Sequence, residues 1–310
     1  MKNFRVHIYI AIAIALLGFI FGSLFDLNIS QAIFSRNNGF GLTISVIGTL
    51  PGYGMFAVLG GGLLVYFFRK DIKLQYRIAS IVGTVAAVGL GVFFSGREFF
   101  GPNGFTGAAP SWVGYLIALP IMGGLGFFGY RLFLKSDKPY LWLLILILFV
   151  TLFIALVPGV TLLKSIFHRP RYRAIEFYNA NFAGQEPELV FHYWWQRCSE
   201  YKTLIANYDY LIKEEFKSFP SGHAGASSCF MLVVTFFPML DKKYENIRFI
   251  SFYAGLGWVL LVCFSRILVG AHFLSDVSMG MLITFVCLFI VNEVIIRLKF
   301  FKEEQTEEQQ

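Results

Sequence analysis

Residues 141–163 read LWLLILILFVTLFIALVPGVTLL, without one charged side chain. About 20 apolar residues in a row cross the hydrocarbon core of a bilayer as a helix, so this stretch is predicted to be a membrane span. Comparable runs occur at 7–25, 52–68, 77–95, 113–134, 222–240, 248–268 and 273–297. The chain therefore reads as an all-α, polytopic transmembrane helix bundle of about eight spans. The first run follows a basic start (Lys2, Arg5) like that of a signal peptide. No small-x-small cleavage site is obvious after it, and further spans follow.

Composition agrees. The 310 residues are 56% hydrophobic and 15% charged, with 36 Phe, and the mean hydropathy is +0.64. Soluble domains lie nearer 45–50% apolar and about 25% charged. The net charge of +7 does not point to nucleic acid, because the basic residues lie between apolar runs rather than along one face. Of Cys198, Cys229, Cys263 and Cys287, three fall inside apolar runs and read as small hydrophobes. Their spacing gives neither a disulfide framework nor a zinc site.

Lys and Arg in short loops set orientation. With the N-terminus in the cytoplasm, the cytoplasmic pieces hold Lys2 and Arg5; Arg69, Lys70, Lys73 and Arg77; Arg131, Lys135 and Lys138; Lys242, Lys243 and Arg248; Arg297, Lys299 and Lys302. The other side has Arg36, Arg97 and Arg266 in its short loops. A multi-pass cell-membrane protein with both termini cytoplasmic is expected. The long segment 164–220, rich in aromatics (Tyr193, Trp194, Trp195, Tyr201, Tyr208, Tyr210), then lies outside. It reads as a loop on the headgroups or as a wall over a lipid site. Glycines in 51–62 lack a following Lys-Ser/Thr, so they indicate close helix packing rather than a phosphate loop. The acidic tail 303–310 is expected to be disordered.

Three clusters place polar groups at span ends on the expected outer side: Lys164 through Arg173; Pro220-Ser221-Gly222-His223; and Ser265-Arg266 with His272 and Asp276. Lys164, Arg171 and Arg266 supply enough positive charge to surround a phosphate dianion. Ser221 suits a helix N-cap, and the free amides of the first turn attract anions. Gly222 permits close approach of an oxyanion to the backbone. His272 and Asp276 are spaced i,i+4 and are expected to share a helix face. Two histidines, one supported by a carboxylate, can divide the roles of nucleophile and general acid.

In these motifs the chain resembles the type 2 phosphatidic acid phosphatase and haloperoxidase superfamily, whose pattern is Lys-x6-Arg-Pro, then Pro-Ser-Gly-His, then Ser-Arg-x5-His-x3-Asp. Lys164-x6-Arg171, Pro220 to His223, and Ser265-Arg266-x5-His272-x3-Asp276 follow it in order and spacing. Tyr172 stands where the pattern has Pro. The register Lys164-x4-Arg169-Pro170 keeps the Arg-Pro pair with shorter spacing; Arg171 is preferred, because reach depends on spacing.

The resemblance implies that His272 attacks phosphorus to form a phosphohistidine and Asp276 orients it. His223 protonates the leaving oxygen and then activates water. Lys164, Arg171, Ser221, Gly222 and Arg266 bind the phosphoryl group, with no metal and no cofactor. It implies a six-helix phosphatase core, placed at 77–302 with the loop 164–220, preceded by extra transmembrane helices at 1–76. The expected partners are membrane lipids and a lipid phosphate substrate: phosphatidic acid, phosphatidylglycerol phosphate or polyprenyl diphosphate. A phosphotransferase using the same intermediate, or an anion transporter, are the alternatives. Of the remaining polar residues, His168 reads as a phosphate contact or a solvent-facing residue, and His192 as a surface residue. Arg97 and Glu98 read as an interfacial anchor, and Glu293 as a snorkelling carboxylate.

Overall fold

The structure is a computed structural model that describes residues 4–69, 71–100, 109–136, 140–182, 184, 188–208, 211–240 and 244–298. The acidic tail at 303–310, Tyr210, and the lysines at 2, 70, 138, 242, 243, 299 and 302 lie outside the described residues.

Twelve α-helices occur among the described residues: α1 Arg5–Ile33, α2 Gly39–Ile47, α3 Leu50–Phe68, α4 Leu74–Phe100, α5 Ser111–Leu134, α6 Leu141–Leu156, α7 Leu163–Phe167, α8 Tyr172–Phe182, α9 Tyr201–Asn207, α10 Gly222–Val234, α11 Glu245–Leu268 and α12 Leu274–Arg297. Among the described residues, eight helical segments are long and apolar enough to cross a membrane, as expected. The protein is a polytopic helical bundle. Large apolar side chains such as Leu17, Leu24, Val85, Leu116, Phe127 and Ile250 point outward, where lipid rather than water satisfies them.

The span expected at 141–163 changes character near its end. At Val157–Leu162 the helix widens to a π-helical turn. Pro158 has no N–H to give the preceding turn, which is a usual cause of such a bulge. The widened turn delivers Val160, Thr161 and Lys164 to one wall of a cavity.

The glycines of 51–62 do what close packing requires. A Cβ on Gly52 would stand 1.7 Å from Ala226 O of α10, and one on Gly61 would stand 1.8 Å from Gly126 O of α5. Because α10 begins with the Pro-Ser-Gly-His motif, this contact fixes the helix that presents His223.

Segment 164–220, in its described residues, folds around its own apolar cluster, in which Tyr178, Leu189, Leu204 and Phe216 pack with Phe273 from the turn before α12. It is anchored by Arg169, whose guanidinium is fully buried. Arg169 donates to Asp276 Oδ1 at 2.6 Å, Asp26 Oδ2 at 2.8 Å, Ser275 Oγ at 2.9 Å and His192 O at 2.8 Å. At the opposite end of the bundle Glu293 does not snorkel alone. It takes a bidentate pair from Arg5 at 2.6 Å, joining the start of α1 to the end of α12.

Gly52→Ala is expected to lower thermal stability in detergent, since forcing atoms into a packed contact costs about 1–3 kcal/mol. Gly124→Ala, where a Cβ meets nothing within 4 Å, is expected to leave the melting temperature unchanged or higher. Equal melting temperatures for the two variants would contradict the packing account.

Candidate active site

The three motif clusters meet at one end of the bundle. After α7 the chain reverses at His168, which adopts a left-handed conformation (φ 48°) and stacks its ring on Tyr201 at 3.9 Å. The reversal sends Arg169 inward and turns Arg171 toward the cavity. Backbone bonds brace this stretch: Arg171 N–H donates to Glu215 O at 2.8 Å, Ser218 N–H to Arg169 O at 3.0 Å, and Arg173 N–H to Gly270 O at 2.9 Å.

The cavity has a volume of about 400 Å³. Of the expected site residues, Lys164, Arg171, Gly222, His223 and His272 line it, with Tyr53, Phe94, Leu156 and Val160 as an apolar wall. The two histidine rings face each other with centroids 6.4 Å apart. Ser221, Arg266 and Asp276 are buried beside it and do not line it. Ser221 is the N-cap of α10, its Oγ accepting from Ala224 N–H at 3.3 Å, while its own N–H donates to Asp276 O at 2.9 Å. The amides of Gly222 and His223, in the first turn, have no intrahelical acceptor and offer an anion site. Arg266 is 1% exposed. Among the described residues its Nε and Nη2 have no hydrogen-bond acceptor. Lys164 Nζ donates to Lys217 O at 2.8 Å, which holds the ammonium at the cavity rim.

His272 and Asp276 do not share a helix face. α12 starts at Leu274, so His272 belongs to the turn before it, and the i,i+4 argument does not apply. His272 Nδ1 lies 2.7 Å from Ser218 O. A carbonyl only accepts, so Nδ1 donates, and Nε2 is left with its lone pair. Asp276 accepts from Ser218 Oγ at 2.5 Å and from Phe273 N–H at 2.8 Å. Its Oδ2 is 3.8 Å from His272 Nδ1, beyond hydrogen-bond length but near enough to favour positive charge on the ring. The carboxylate thus positions His272 through Ser218, a residue the motif reading missed because the contact runs through a main-chain carbonyl. Burial, and then the positive charges of Lys164, Arg171 and Arg266, hold the His272 pKa well below the usual histidine range. The imidazole is therefore neutral and able to act as a nucleophile at neutral pH.

Glu98 is not an isolated interfacial anchor. It lines the cavity, and its Oε2 stands 3.2 Å from His223 Nε2. No local motif marks it; the only trace in the sequence is a carboxylate at a span end on the same side as the motifs. Among the described residues, no group of three or more His, Cys, Asp or Glu side chains is arranged to hold a metal ion.

The PAP2 superfamily model matches residues 139–299, more than half of the chain. Phosphatidylglycerophosphatase B of Bacillus subtilis (strain 168) is 31% identical over 99 residues, which make up 30% of this chain and 47% of that protein. The chain thus spans about half the length of the curated relative it matches. No solved structure matches the chain.

The two arginines of the first motif are expected to fail differently. Arg171→Ala should leave a folded protein with kcat/KM down about tenfold to a hundredfold, as for loss of one charged hydrogen bond worth about 1.5–3 kcal/mol. Arg169→Ala leaves two buried carboxylates without their guanidinium and should cost about 3–5 kcal/mol of stability. Thermal melting beside phosphate release separates them; a stable, inactive Arg169→Ala protein would make Arg169 the phosphate ligand instead.

Proposed function

The chain belongs to the PAP2 superfamily, and from that premise we propose that it is a membrane lipid phosphatase working through a phosphohistidine. The observation that carries the reading is the single cavity in which His272, with a free Nε2, faces His223 between Lys164 and Arg171. The name of the Bacillus subtilis relative is in keeping with a phospholipid substrate.

In the proposed reaction the Nε2 lone pair of His272 attacks phosphorus. A P–N bond forms as the ester P–O bond breaks, and the proton on His223 passes to the leaving oxygen. Water then attacks phosphorus and gives its proton to His223; the P–N bond breaks, releasing inorganic phosphate and neutral His272. Lys164, Arg171, Arg266 and the first-turn amides of α10 stabilise the oxygens as charge builds on them. The positive charge that appears on the His272 ring is met by Asp276. Lys164 and Arg171 at the cavity supply positive charge for the phosphoryl oxygens, and the proposed hydrolysis is metal-independent.

The apolar wall of Tyr53, Phe94, Leu156 and Val160 favours a lipid: acyl or prenyl chains can lie against it while the phosphate reaches His272. Phosphatidylglycerol phosphate, phosphatidic acid and polyprenyl diphosphate are the proposed class. The Lys/Arg asymmetry of the loops supports a cell-membrane enzyme with this cavity on the extracytoplasmic face.

A phosphate-release panel on purified protein tests the activity. Release from at least one long-chain lipid phosphate is expected, at a kcat/KM above that for a soluble sugar phosphate and unchanged by chelator. His272→Ala is expected to lower it by at least about 10³-fold. Equal kcat/KM for the sugar phosphate would remove the lipid assignment, and activity lost to chelator and restored by magnesium would remove the metal-free mechanism. For the topology, Lys202→Cys, at an exposed position, is expected to react with an impermeant maleimide on intact cells. Reaction only after the cytoplasmic face is opened would invert the arrangement.

A further inference from the structure

We propose that Glu98, carried by α4 and outside the family-matched residues 139–299, is the positioning residue for His223. The inference rests on the phosphatase reading above, in which His223 moves the proton.

The geometry is specific. Glu98 Oε2 approaches His223 Nε2 to 3.2 Å, with the two side chains 14% and 6% exposed. Nε2 is buried and makes no full hydrogen bond among the described residues; the Glu98 carboxylate is its charge partner. A carboxylate can only accept from it, so Glu98 places the proton on Nε2 of the neutral ring and leaves Nδ1 for the cavity that His223 lines. The approach is off the N–H axis here, as is common for catalytic contacts before substrate binds.

A charge argument leads to the same assignment. Lys164 and Arg171 line the same cavity as the His223 ring, and positive neighbours disfavour the imidazolium that must protonate a poor alkoxide leaving group. A carboxylate in contact with the ring offsets them. A carboxylate lining a phosphate-binding cavity would repel the substrate unless cations stand beside it; Arg97 and Lys164 line the same cavity, and His223 is a further cation in the step in which it carries the proton to be transferred. α10 and the turn before α12 hold the two histidines, while α4 supplies the group that sets the orientation and charge of one of them.

The test uses the full chain in mixed micelles with two phosphate monoesters of matched chain length: a long-chain alkyl phosphate, whose leaving group needs a proton, and a nitrophenyl ester with a long chain on the ring, whose leaving group does not. Glu98→Gln keeps the shape of the side chain. It is expected to lower kcat on the alkyl ester by about 10–100-fold with KM within about threefold, and to lower the alkyl-to-nitrophenyl rate ratio by about tenfold or more; general acid catalysis as a whole contributes about 10²–10⁴. In a His223→Gln background, adding Glu98→Gln is expected to change the alkyl rate by less than about twofold, because the carboxylate acts through the ring. Equal losses on both esters, or a full additional loss in the double variant, would assign Glu98 a structural role and overturn the proposal. Glu98→Gln turnover equal to wild type would also overturn it while leaving the phosphatase reading intact. Wild-type protein inactive on both esters would count against the phosphatase reading itself, and the proposal would fall with it.

Discussion

The Arg169 guanidinium is sealed from solvent, yet it stands where four parts of the chain meet. One arm holds Asp26 of α1, another holds Asp276 and Ser275 at the start of α12, and Nε reaches His192 O in segment 164–220. Its planar face lies over the Phe273 ring at 4.1 Å, adding a cation–π contact in a desolvated place. Desolvating such charges is expensive and is repaid only when every partner is in position. The cluster therefore acts as a registration device. Only one docking of segment 164–220 on α1 and α12 satisfies it, and that docking fixes both Arg171, two residues on, and the Ser218–Asp276 contact behind His272.

The consequences reach the cavity along the main chain. Ser218 N–H bonds Arg169 O, Ser218 O orients His272, and Ser221 N–H bonds Asp276 O. His272, the proposed nucleophile, is thus held by backbone groups at the junction of three elements, and the nitrogen left with its lone pair is specified by a carbonyl that cannot donate. On the other side, His223 is set by α10, which depends on the glycine contact with α3, and faces Glu98 of α4. The first three spans, which carry none of the motifs, supply Asp26, Tyr53, Phe94 and Glu98. They are part of what shapes the site.

Much of this was legible in the sequence. Span positions follow from uninterrupted apolar runs, because lipid imposes one length and one chemistry on each crossing. The convergence of the motif residues followed from loop charge and span parity alone. Three things were not legible. The helix start at Leu274, rather than before His272, turned an apparent i,i+4 pair into a contact relayed by Ser218; spacing cannot reveal where a helix begins. The division of labour between Arg169 and Arg171 depended on a left-handed residue at His168, which reverses the direction of the chain between them. Glu98 and Asp26 act across more than a hundred positions of sequence, on helices whose mutual packing is written in no local pattern.

The central claim is that phosphate passes through the Nε2 nitrogen of His272. Rapid quenching of wild-type protein turning over a long-chain lipid phosphate, followed by peptide mass spectrometry under alkaline conditions, tests it directly. The expected result is a transient, acid-labile phosphate on residue 272, formed and lost at rates that account for turnover. Steady phosphate release without any phosphorylated residue 272, or with the label on another side chain, would contradict the account.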